Sequence, residues 1–247
     1  MAGPDSKQPR AQPAQIASAL AVGGVTPLTT IDFPGELAAV VFCQGCPWQC
    51  RYCQNGHLLP RNFRSEIAWQ DVADLLHRRR GLLDAVVFSG GEPTLQRGLP
   101  GAVSEVRALG FKVGLHTAGC YPERLAELLP AVDWVGLDIK ALPQDYTALT
   151  GAPGSGKRAL ESLDYLVESG VPHEVRVTVH DALLPPEKLQ RLIDLLVDRG
   201  AGKVMLQRCR TQHVVDPDLG DNTRPWQNSA RCSADQWRSE RLQAEVG

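Results

Sequence analysis

The sequence lacks an excess of charge of either sign and lacks any long apolar run. Its formal net charge is −2 at pH 7, with a pI near 6.3. Binding to a nucleic-acid backbone depends on clustered Lys and Arg, which such a balance does not favour. No run approaches the roughly 18 continuous apolar residues that a membrane span needs. Neither a nucleic acid nor a membrane is therefore expected as a partner.

A secretory signal is also missing from the start of the sequence. Residues 1–24 are rich in Ala, Gln and Pro, without the charged start and apolar run of a signal peptide. The chain has seven cysteines, an odd number, and four of them fall between Cys43 and Cys53. A disulfide framework would spread its cysteines through a shorter, exported chain. We therefore expect a cytoplasmic protein whose clustered cysteines ligate metal.

From residue 37 onward, short apolar runs alternate with longer amphipathic segments. The predicted strands are Leu37–Phe42, Ala85–Phe88, Phe111–Leu115, Val132–Ile139, Val175–Val179 and Lys203–Leu206. The predicted helices are Ile67–Arg80, Leu99–Leu109, Pro122–Leu129, Lys157–Glu168 and Pro186–Val197, with a short closing helix over Asp235–Glu245. Apolar strands that alternate with helices indicate a parallel sheet under helical cover.

Six such units fit an α/β fold, either a doubly wound open sheet or a partial barrel, and periodicity alone leaves both open. In either architecture the functional site lies at the carboxyl ends of the strands. We expect residues 1–22 to form a flexible extension and residues 23–210 the α/β domain. Residues 211–247, with loop-like sequence over His213–Trp226, are expected to form an irregular extension that packs on the barrel.

Three cysteines with the spacing CxxxCxxC follow the first predicted strand: Cys46, Cys50 and Cys53. Thiolates this close in sequence can ligate one iron–sulfur cluster, and three of them leave one iron open to chelate an amine and a carboxylate. A zinc site would more often show two separated CxxC pairs. Cys43 is either the buried end of the strand or a fourth ligand. A fourth ligand would make the chain an electron-transfer or structural metal module.

The CxxxCxxC spacing with an aromatic residue, Tyr52, before the last cysteine resembles the radical S-adenosylmethionine (SAM) superfamily. The resemblance implies a partial (β/α)6 barrel with parallel strands, a [4Fe-4S] cluster on the three cysteines, and SAM bound at the open iron. It also implies an oxidoreductase in which an electron from the cluster cleaves SAM to methionine and a 5′-deoxyadenosyl radical. No catalytic residue is expected beyond the cluster and SAM.

A glycine motif, Ser89–Pro93 with the sequence SGGEP, follows the second predicted strand. Two glycines let a backbone approach a ligand closely, although a Gly-Gly turn is often an ordinary connection. The motif resembles the GGEP motif of the same superfamily, which binds the amino group of the methionine moiety. The residues that this resemblance places at SAM are Gly90, Gly91, Glu92 and Pro93.

Charged and polar residues at later strand ends are further candidates for SAM contacts. Asp138 and Lys140 resemble an Asp-x-Lys near SAM in activating enzymes of the superfamily. Arg176 lies inside a predicted strand, where a buried arginine is unusual unless it is paired. It is predicted either to reach SAM or to form a structural ion pair. Thr178 and Gln207 are candidates on the same grounds.

The segment Gly23–Gly35, GGVTPLTTIDFPG, resembles the lead-in of the proteins that activate anaerobic ribonucleoside-triphosphate reductase, and the likeness extends to about Gln207. It implies a glycyl-radical enzyme as partner, the anaerobic ribonucleotide reductase, and a flavodoxin- or ferredoxin-type electron donor. Two departures are Gln54 in place of His, and His116–Gly119 (HTAG) in place of Asp-Thr-Asn-Gly. The second puts in doubt a cation site of related activases. The alternative is a radical SAM enzyme that modifies a small molecule, peptide or RNA.

Overall fold

The protein is described by a computed structural model that covers residues 17, 19–61, 65, 67–222, 231–233 and 235. The strands are β1 (Val22–Thr29), β2 (Ala38–Cys43), β3 (Ala85–Gly90), β4 (Lys112–Thr117), β5 (Trp134–Asp138), β6 (His173–Val179), β7 (Val204–Arg208) and β8 (Arg231–Ser233). The α-helices are α1 (Trp69–Arg78), α2 (Leu99–Ala108), α3 (Pro122–Leu128), α4 (Tyr146–Thr150), α5 (Ser155–Ser169) and α6 (Pro186–Asp198). Each predicted strand and each predicted helix before residue 200 is present, with ends that differ by a few residues.

The strands lie in one sheet in the order in which they occur along the chain, from β1 to β8. Strands β2 to β7 are parallel, and β1 and β8 pair antiparallel at the two edges. A doubly wound sheet reverses its strand order at a switch point, and this sheet does not. Each new strand is added on the same side, so the expected partial (β/α)6 barrel is confirmed.

Three elements were not predicted from the sequence: β1, α4 and β8, a strand of three residues in the segment that was expected to be irregular. Strand β1 contains Gly23, Gly24 and Pro27, which weaken a strand pattern, and its pairing with β2 has two register shifts. Pro is tolerated there because β1 is an edge strand, where a missing N–H breaks no ladder bond. Helix α4 has only five residues, too few for helical periodicity to be recognised.

The two faces of the sheet differ in what they contact. Ala39, Val41 and Cys43 belong to the large core beneath the helices, whereas Ala38 and Val40 point to the opposite, inner face. This alternation follows from the two-residue period of a strand. The buried residues of the small inner cluster are Phe33, Ala38, Val40, Ala85, Val87 and Trp134. The inner face is therefore apolar at the amino ends of the strands.

Phe33 comes from the loop between β1 and β2, and its ring lies 5.6 Å from that of Trp134. A Cβ at Gly114 would lie 2.9 Å from Cδ1 of Phe33, so the absent side chain makes space for the ring. Phe33 therefore covers the inner face of the sheet at the amino ends of the strands. The polar side chains His116, Asp138, Arg176, Thr178 and Gln207 have the same strand parity but lie nearer the carboxyl ends.

The segments outside the barrel are described only in part. Ala17 and Leu20 are buried, and Leu20 lies against Gly98. Residues 211–222 have no regular structure, as predicted for that segment. Residues 231–233 of the C-terminal segment form β8. Most of the remaining terminal residues, including residues 236–245 of the predicted closing helix, lie outside the described residues. Among the helices that are described, none has the length and apolar character needed to cross a bilayer.

Candidate functional site

A cavity of about 640 Å³ lies at the carboxyl ends of the strands. Its lining includes most of the residues that the sequence analysis selected: Cys46, Cys50, Tyr52, Cys53, Gly90, Gly91, Asp138, Lys140, Arg176, Thr178 and Gln207. Glu92 and Pro93 are the two predicted site residues that do not line it. The fold thus brings together residues from five loops and strand ends, as expected for a parallel α/β architecture.

The loop with the three cysteines is held in place by backbone hydrogen bonds from both sides. On one side, the amide of Cys46 donates to the carbonyl of Leu59 at 3.2 Å. On the other, the amide of Gln49 donates to the carbonyl of Thr150, at the end of α4, at 2.9 Å. The amide of Cys53 donates to the Cys50 carbonyl at 2.9 Å, which makes a tight turn between these two cysteines.

The chemistry of the donor set fits a cluster with three protein ligands. Cys46, Cys50 and Cys53 are free and line the cavity, whereas Cys43 is fully buried in the core beneath the helices. Burial raises the pKa of the Cys46 thiol to about 12 and that of Cys50 to about 11. At neutral pH these thiols carry protons until a metal displaces them. The arrangement favours the reading of Cys43 as the buried end of β2.

The surroundings of the cysteines fit a group larger than one ion. Within the described residues, no three His, Cys, Asp or Glu side chains gather closely enough to hold a single metal ion. A cubane is ligated at separate corners, so its cysteines stand farther apart than the ligands of one ion. Two buried donors on the cavity wall, Nε1 of Trp48 and Oη of Tyr52, have no hydrogen-bond partner in the described part of the chain. Cluster sulfur atoms accept such hydrogen bonds.

The two glycines of the SGGEP motif allow the turn after β3 to lie directly against the cysteine loop. A Cβ at Gly90, whose φ is +110°, would lie 2.5 Å from the amide nitrogen of Cys43. A Cβ at Gly91 would lie 2.3 Å from the carbonyl oxygen of Gly45. Distances this short are impossible for a real side chain, so only glycine permits this approach. The Gly91 amide donates to the Cys43 carbonyl at 2.9 Å.

Glu92 is fully buried, and its carboxylate accepts four hydrogen bonds from the protein. Oε1 accepts from the amide and the hydroxyl of Thr94, at 3.0 and 2.5 Å, and from the hydroxyl of Thr117 at 2.7 Å. Oε2 accepts from the amide of Ala118 at 2.9 Å. The side chain therefore joins the end of β3 to the end of β4. The predicted contact between Glu92 and the methionine amino group stays a prediction.

One wall of the cavity, the charged wall, carries two cations and one anion. Nε of Arg176 donates to Oδ1 of Asp138 at 2.9 Å, and Nζ of Lys140 lies 3.5 Å from Oδ2. Lys140 also lies over the ring of Tyr52, 5.7 Å from its centroid. Burial alone would raise the pKa of Asp138, but Arg176 and Lys140 outweigh it and hold the pKa below its ordinary value. The wall thus keeps an excess of positive charge that suits a carboxylate.

Several residues that line the cavity were not predicted as site residues from the sequence. They include Ile31, Asp32, Trp48, Ser89, His116, Thr117, Arg208 and Arg210. The position of His116 could have been predicted from the two-residue period of a strand. His116 follows Gly114 by two residues and therefore lies on the same face of β4. Its Nε2 donates to the carbonyl of Asp32 at 2.8 Å, and its ring meets Trp134 edge-on at 5.5 Å.

Residues 40–206, more than half of the chain, match the Radical SAM superfamily. The chain belongs to this superfamily. The family binds a [4Fe-4S] cluster and SAM, and the cysteine loop and cavity of this radical SAM protein fit both. Cys46, Cys50 and Cys53 would hold the cluster, and the cavity beside them would hold SAM.

Several curated proteins are similar over most of their length. A candidate glycyl-radical enzyme activating enzyme of Methanocaldococcus jannaschii is 28% identical over 223 residues, 85% of this chain and 88% of that protein. The pyruvate formate-lyase-activating enzyme of Clostridium pasteurianum is 31% identical over 188 residues, 71% of this chain and 76% of that protein. The enzyme of the same name from Listeria monocytogenes is 30% identical over 192 residues, 71% of this chain and 75% of that protein.

Solved structures show the same fold at low sequence identity. SuiB of Streptococcus suis bound to S-adenosylmethionine has a TM-score of 0.60 and 16% identity, over 82% of this chain and 45% of SuiB. The protein anSMEcpe with bound AdoMet has a TM-score of 0.55 and 14% identity, over 68% of this chain and 49% of that chain. This radical SAM protein thus spans less than half of either chain, and the likeness shows the fold alone.

Proposed function

We propose that this radical SAM protein is an activating enzyme that installs a glycyl radical on anaerobic ribonucleoside-triphosphate reductase. The observation that carries the proposal is the similarity, over more than two thirds of each chain, to proteins named as activating enzymes of glycyl-radical enzymes or of pyruvate formate-lyase. The GGVTPLTTIDFPG lead-in over Gly23–Gly35 favours the reductase as the target. The electron would come from a flavodoxin- or ferredoxin-type carrier.

Three cysteines and the charged wall would hold the two cofactors. When bound, the cluster and SAM would supply a 5′-deoxyadenosyl radical able to take a hydrogen atom from a glycine of the partner. In the proposal, the excess positive charge of Arg176 and Lys140 faces the methionine carboxylate. Asp138 fixes both cations in place through its contacts with them. Thr178, Gln207 and Tyr52, which line the same cavity, complete the SAM site.

The turn after β3 would supply backbone groups to SAM rather than side chains. Gly90 and Gly91 line the cavity, and they place their backbone beside the cysteine loop where a side chain would block it. Glu92 and Pro93 hold the turn, since the Glu92 carboxylate fixes it to the end of β4. A rigid turn keeps the methionine amino group in one orientation, and such positioning is what radical transfer requires.

The apolar packing around the site would shield reactive species from water. Trp48, in the cysteine loop, is buried and its ring meets that of Tyr146 edge-on at 5.8 Å, so the loop packs against an apolar side chain. Phe33 and Trp134 seal the inner face below the cavity. The cavity is open to solvent at the exposed residues of its lining, which include Ile31, Gln54, Arg208 and Arg210. Apolar packing elsewhere around the site limits the side reactions of a radical.

The proposal is tested in two steps with the full-length protein under anaerobic conditions. The first step reconstitutes the protein with iron and sulfide, adds SAM and a strong reductant, and measures 5′-deoxyadenosine. The second step adds purified anaerobic ribonucleoside-triphosphate reductase and records its glycyl radical by electron paramagnetic resonance. We expect 5′-deoxyadenosine in the first step and the glycyl signal in the second.

The two steps also separate the alternatives. Formation of 5′-deoxyadenosine without a glycyl signal on the reductase would favour a radical SAM enzyme that acts on another substrate. A cluster that never reacts with SAM would favour an electron-transfer module. The buried position of Cys43 argues against the fourth protein ligand that such a module needs.

A further inference from the structure

Ile31 is the most exposed large apolar side chain in the described part of the chain, at 79%, and it lines the cavity. Other strongly exposed apolar side chains, such as Leu82 at 65%, do not line it. Single exposed apolar residues are common on protein surfaces. An isoleucine at the open side of an active-site cavity is different, because a molecule that enters the cavity from this side passes beside it.

The turn that carries Ile31 is held firmly by the residues around it. The Thr29 hydroxyl donates to the Asp32 carboxylate at 2.6 Å and accepts from the Ile31 amide at 3.3 Å. The Asp32 carbonyl accepts from Nε2 of His116 at 2.8 Å, and Phe33 is buried on the inner face. Exposure of Ile31 is therefore not a result of a loose loop. A backbone turn that is already ordered loses little conformational entropy when a partner covers the side chain it carries.

The acidic side chains of the loop that carries Ile31 have contacts within the protein. The carboxylate of Asp32 accepts from Thr29 within the same turn, and Glu36 of the same loop pairs with Lys112 at 2.5 Å. Arg176 and Lys140, which suit the carboxylate of SAM, lie on the charged wall with Asp138. The Ile31 side of the mouth thus offers apolar contact, whereas the charged wall suits the cosubstrate.

We propose that Ile31 contacts the polypeptide segment of the glycyl-radical partner that enters the cavity. This inference rests on the proposed function and adds the surface that recognises the partner. The segment would present an apolar side chain to Ile31, because contact between two apolar surfaces removes both from water. An aliphatic contact at the mouth of the cavity would also limit how deeply the segment enters.

The test compares Ile31→Asp and Ile31→Ala with Leu82→Asp, an equally drastic change at an exposed residue away from the cavity. The probe is purified anaerobic ribonucleoside-triphosphate reductase, with the cluster-loaded activase and SAM present. The Kd between the reductase and the activase is measured by titration. KM and kcat are measured from the rate of glycyl-radical formation. For Ile31→Asp we expect Kd and KM to rise about tenfold or more, with a smaller change in kcat. The Kd and KM of Ile31→Ala should lie between those of Ile31→Asp and the wild type. Ile31→Leu should restore binding, and Leu82→Asp should leave binding unchanged.

Equal Kd and KM values for Ile31→Asp and the wild type, with normal glycyl-radical formation by both, would overturn this contact and leave the proposed function intact. An equal loss in Leu82→Asp would also overturn it, because the effect would then not belong to the mouth of the cavity. If the wild type cleaves SAM but forms no glycyl radical on the reductase, the proposed function fails, and the contact fails with it.

Discussion

The guanidinium of Arg176 lies against the carboxylate of Asp138, with Nε 2.9 Å from Oδ1, and this contact joins the middle of β6 to the end of β5. Nη2 of Arg176 also donates to the carbonyl of Gly136 at 3.2 Å. A Cβ at Gly136 would lie 2.8 Å from Cζ of Arg176, so the missing side chain makes space for the guanidinium. Of the two predictions made for Arg176, the ion pair is confirmed, and the contact with SAM stays a prediction.

The ion pair leads to an expected pH dependence of stability. The pKa of Asp138 is lower in the folded chain than its ordinary value near 3.9, because Arg176 and Lys140 outweigh burial. The folded state therefore binds fewer protons than the unfolded state, and the stabilisation present above about pH 4 is lost as the pH falls through the lowered pKa. Asp138→Asn removes this titration, so the free energy of unfolding should fall less steeply on acidification. Urea unfolding at several pH values measures it.

Asp74→Asn is a matched control for this experiment, since Asp74 is an exposed carboxylate on α1 away from the cavity. Its acid dependence should follow that of the wild type. Parallel curves for Asp138→Asn and the wild type would show that the ion pair contributes nothing to acid stability.

Cysteine substitutions should separate the three cavity thiols from the others. Replacement of Cys46, Cys50 or Cys53 by Ala should abolish the bound iron, since each would remove one of three ligands. Cys43→Ala should keep the iron and lose some stability, because Cys43 is fully buried in the core. Iron and sulfide content per chain, with the visible absorbance of the anaerobic protein, measures the result. Cys120→Ala, another buried thiol outside the loop, controls for a general effect of thiol removal.

Gly90→Ala should damage the fold more than the same change at Gly110. Both glycines have a positive φ, +110° and +92°, so alanine is strained at either position. At Gly110 a Cβ has nothing within 4 Å, and we expect a loss of about 1–2 kcal/mol from backbone strain alone. At Gly90 the Cβ would also meet the backbone of Cys43, which cannot move without breaking the pairing of β2 with β3. The free energy of unfolding from urea titration compares the two, and equal losses would refute the steric argument.

Much of the fold was predictable because its signals are local. Strand β3 contains a short apolar run, β6 contains β-branched residues over Val175–Val179, and the helices between them other than α4 have clear periodicity. The three cavity cysteines were predictable for a similar reason, since their ligand spacing lies within eight residues. The position of Arg176 and Asp138 near one cavity followed from a general rule, that carboxyl ends of parallel strands meet at one edge.

The remaining features depend on contacts between distant parts of the chain. Strand β1 is stabilised by its pairing with β2, which compensates for the weak strand pattern of Gly23, Gly24 and Pro27. The orientation of Glu92 depends on Thr117 and Ala118, which lie 25 and 26 residues after it in the chain. The inner position of Phe33 depends on the space above Gly114. No local pattern carries such information.

Glu92→Gln is expected to destabilise the protein although it changes one atom. The carboxylate accepts hydrogen bonds at both oxygens, from Thr94 and Thr117 on one side and from Ala118 on the other. An amide places an NH₂ group where one oxygen was, so a buried N–H or O–H donor loses its acceptor. A buried donor without a partner costs about 1–3 kcal/mol. Glu36→Gln, at a surface ion pair with Lys112, should cost less than about 1 kcal/mol.

Urea unfolding of both variants measures this difference, and the affinity of the reconstituted protein for SAM shows whether the turn has moved. If Glu92 acts by holding Gly90 and Gly91 in place, the loss of stability and the loss of SAM affinity should occur together in Glu92→Gln. A normal free energy of unfolding with a large loss of SAM affinity would instead indicate direct contact between this carboxylate and the methionine amino group. That result would favour the contact predicted from the SGGEP motif over the structural role that the buried hydrogen bonds support.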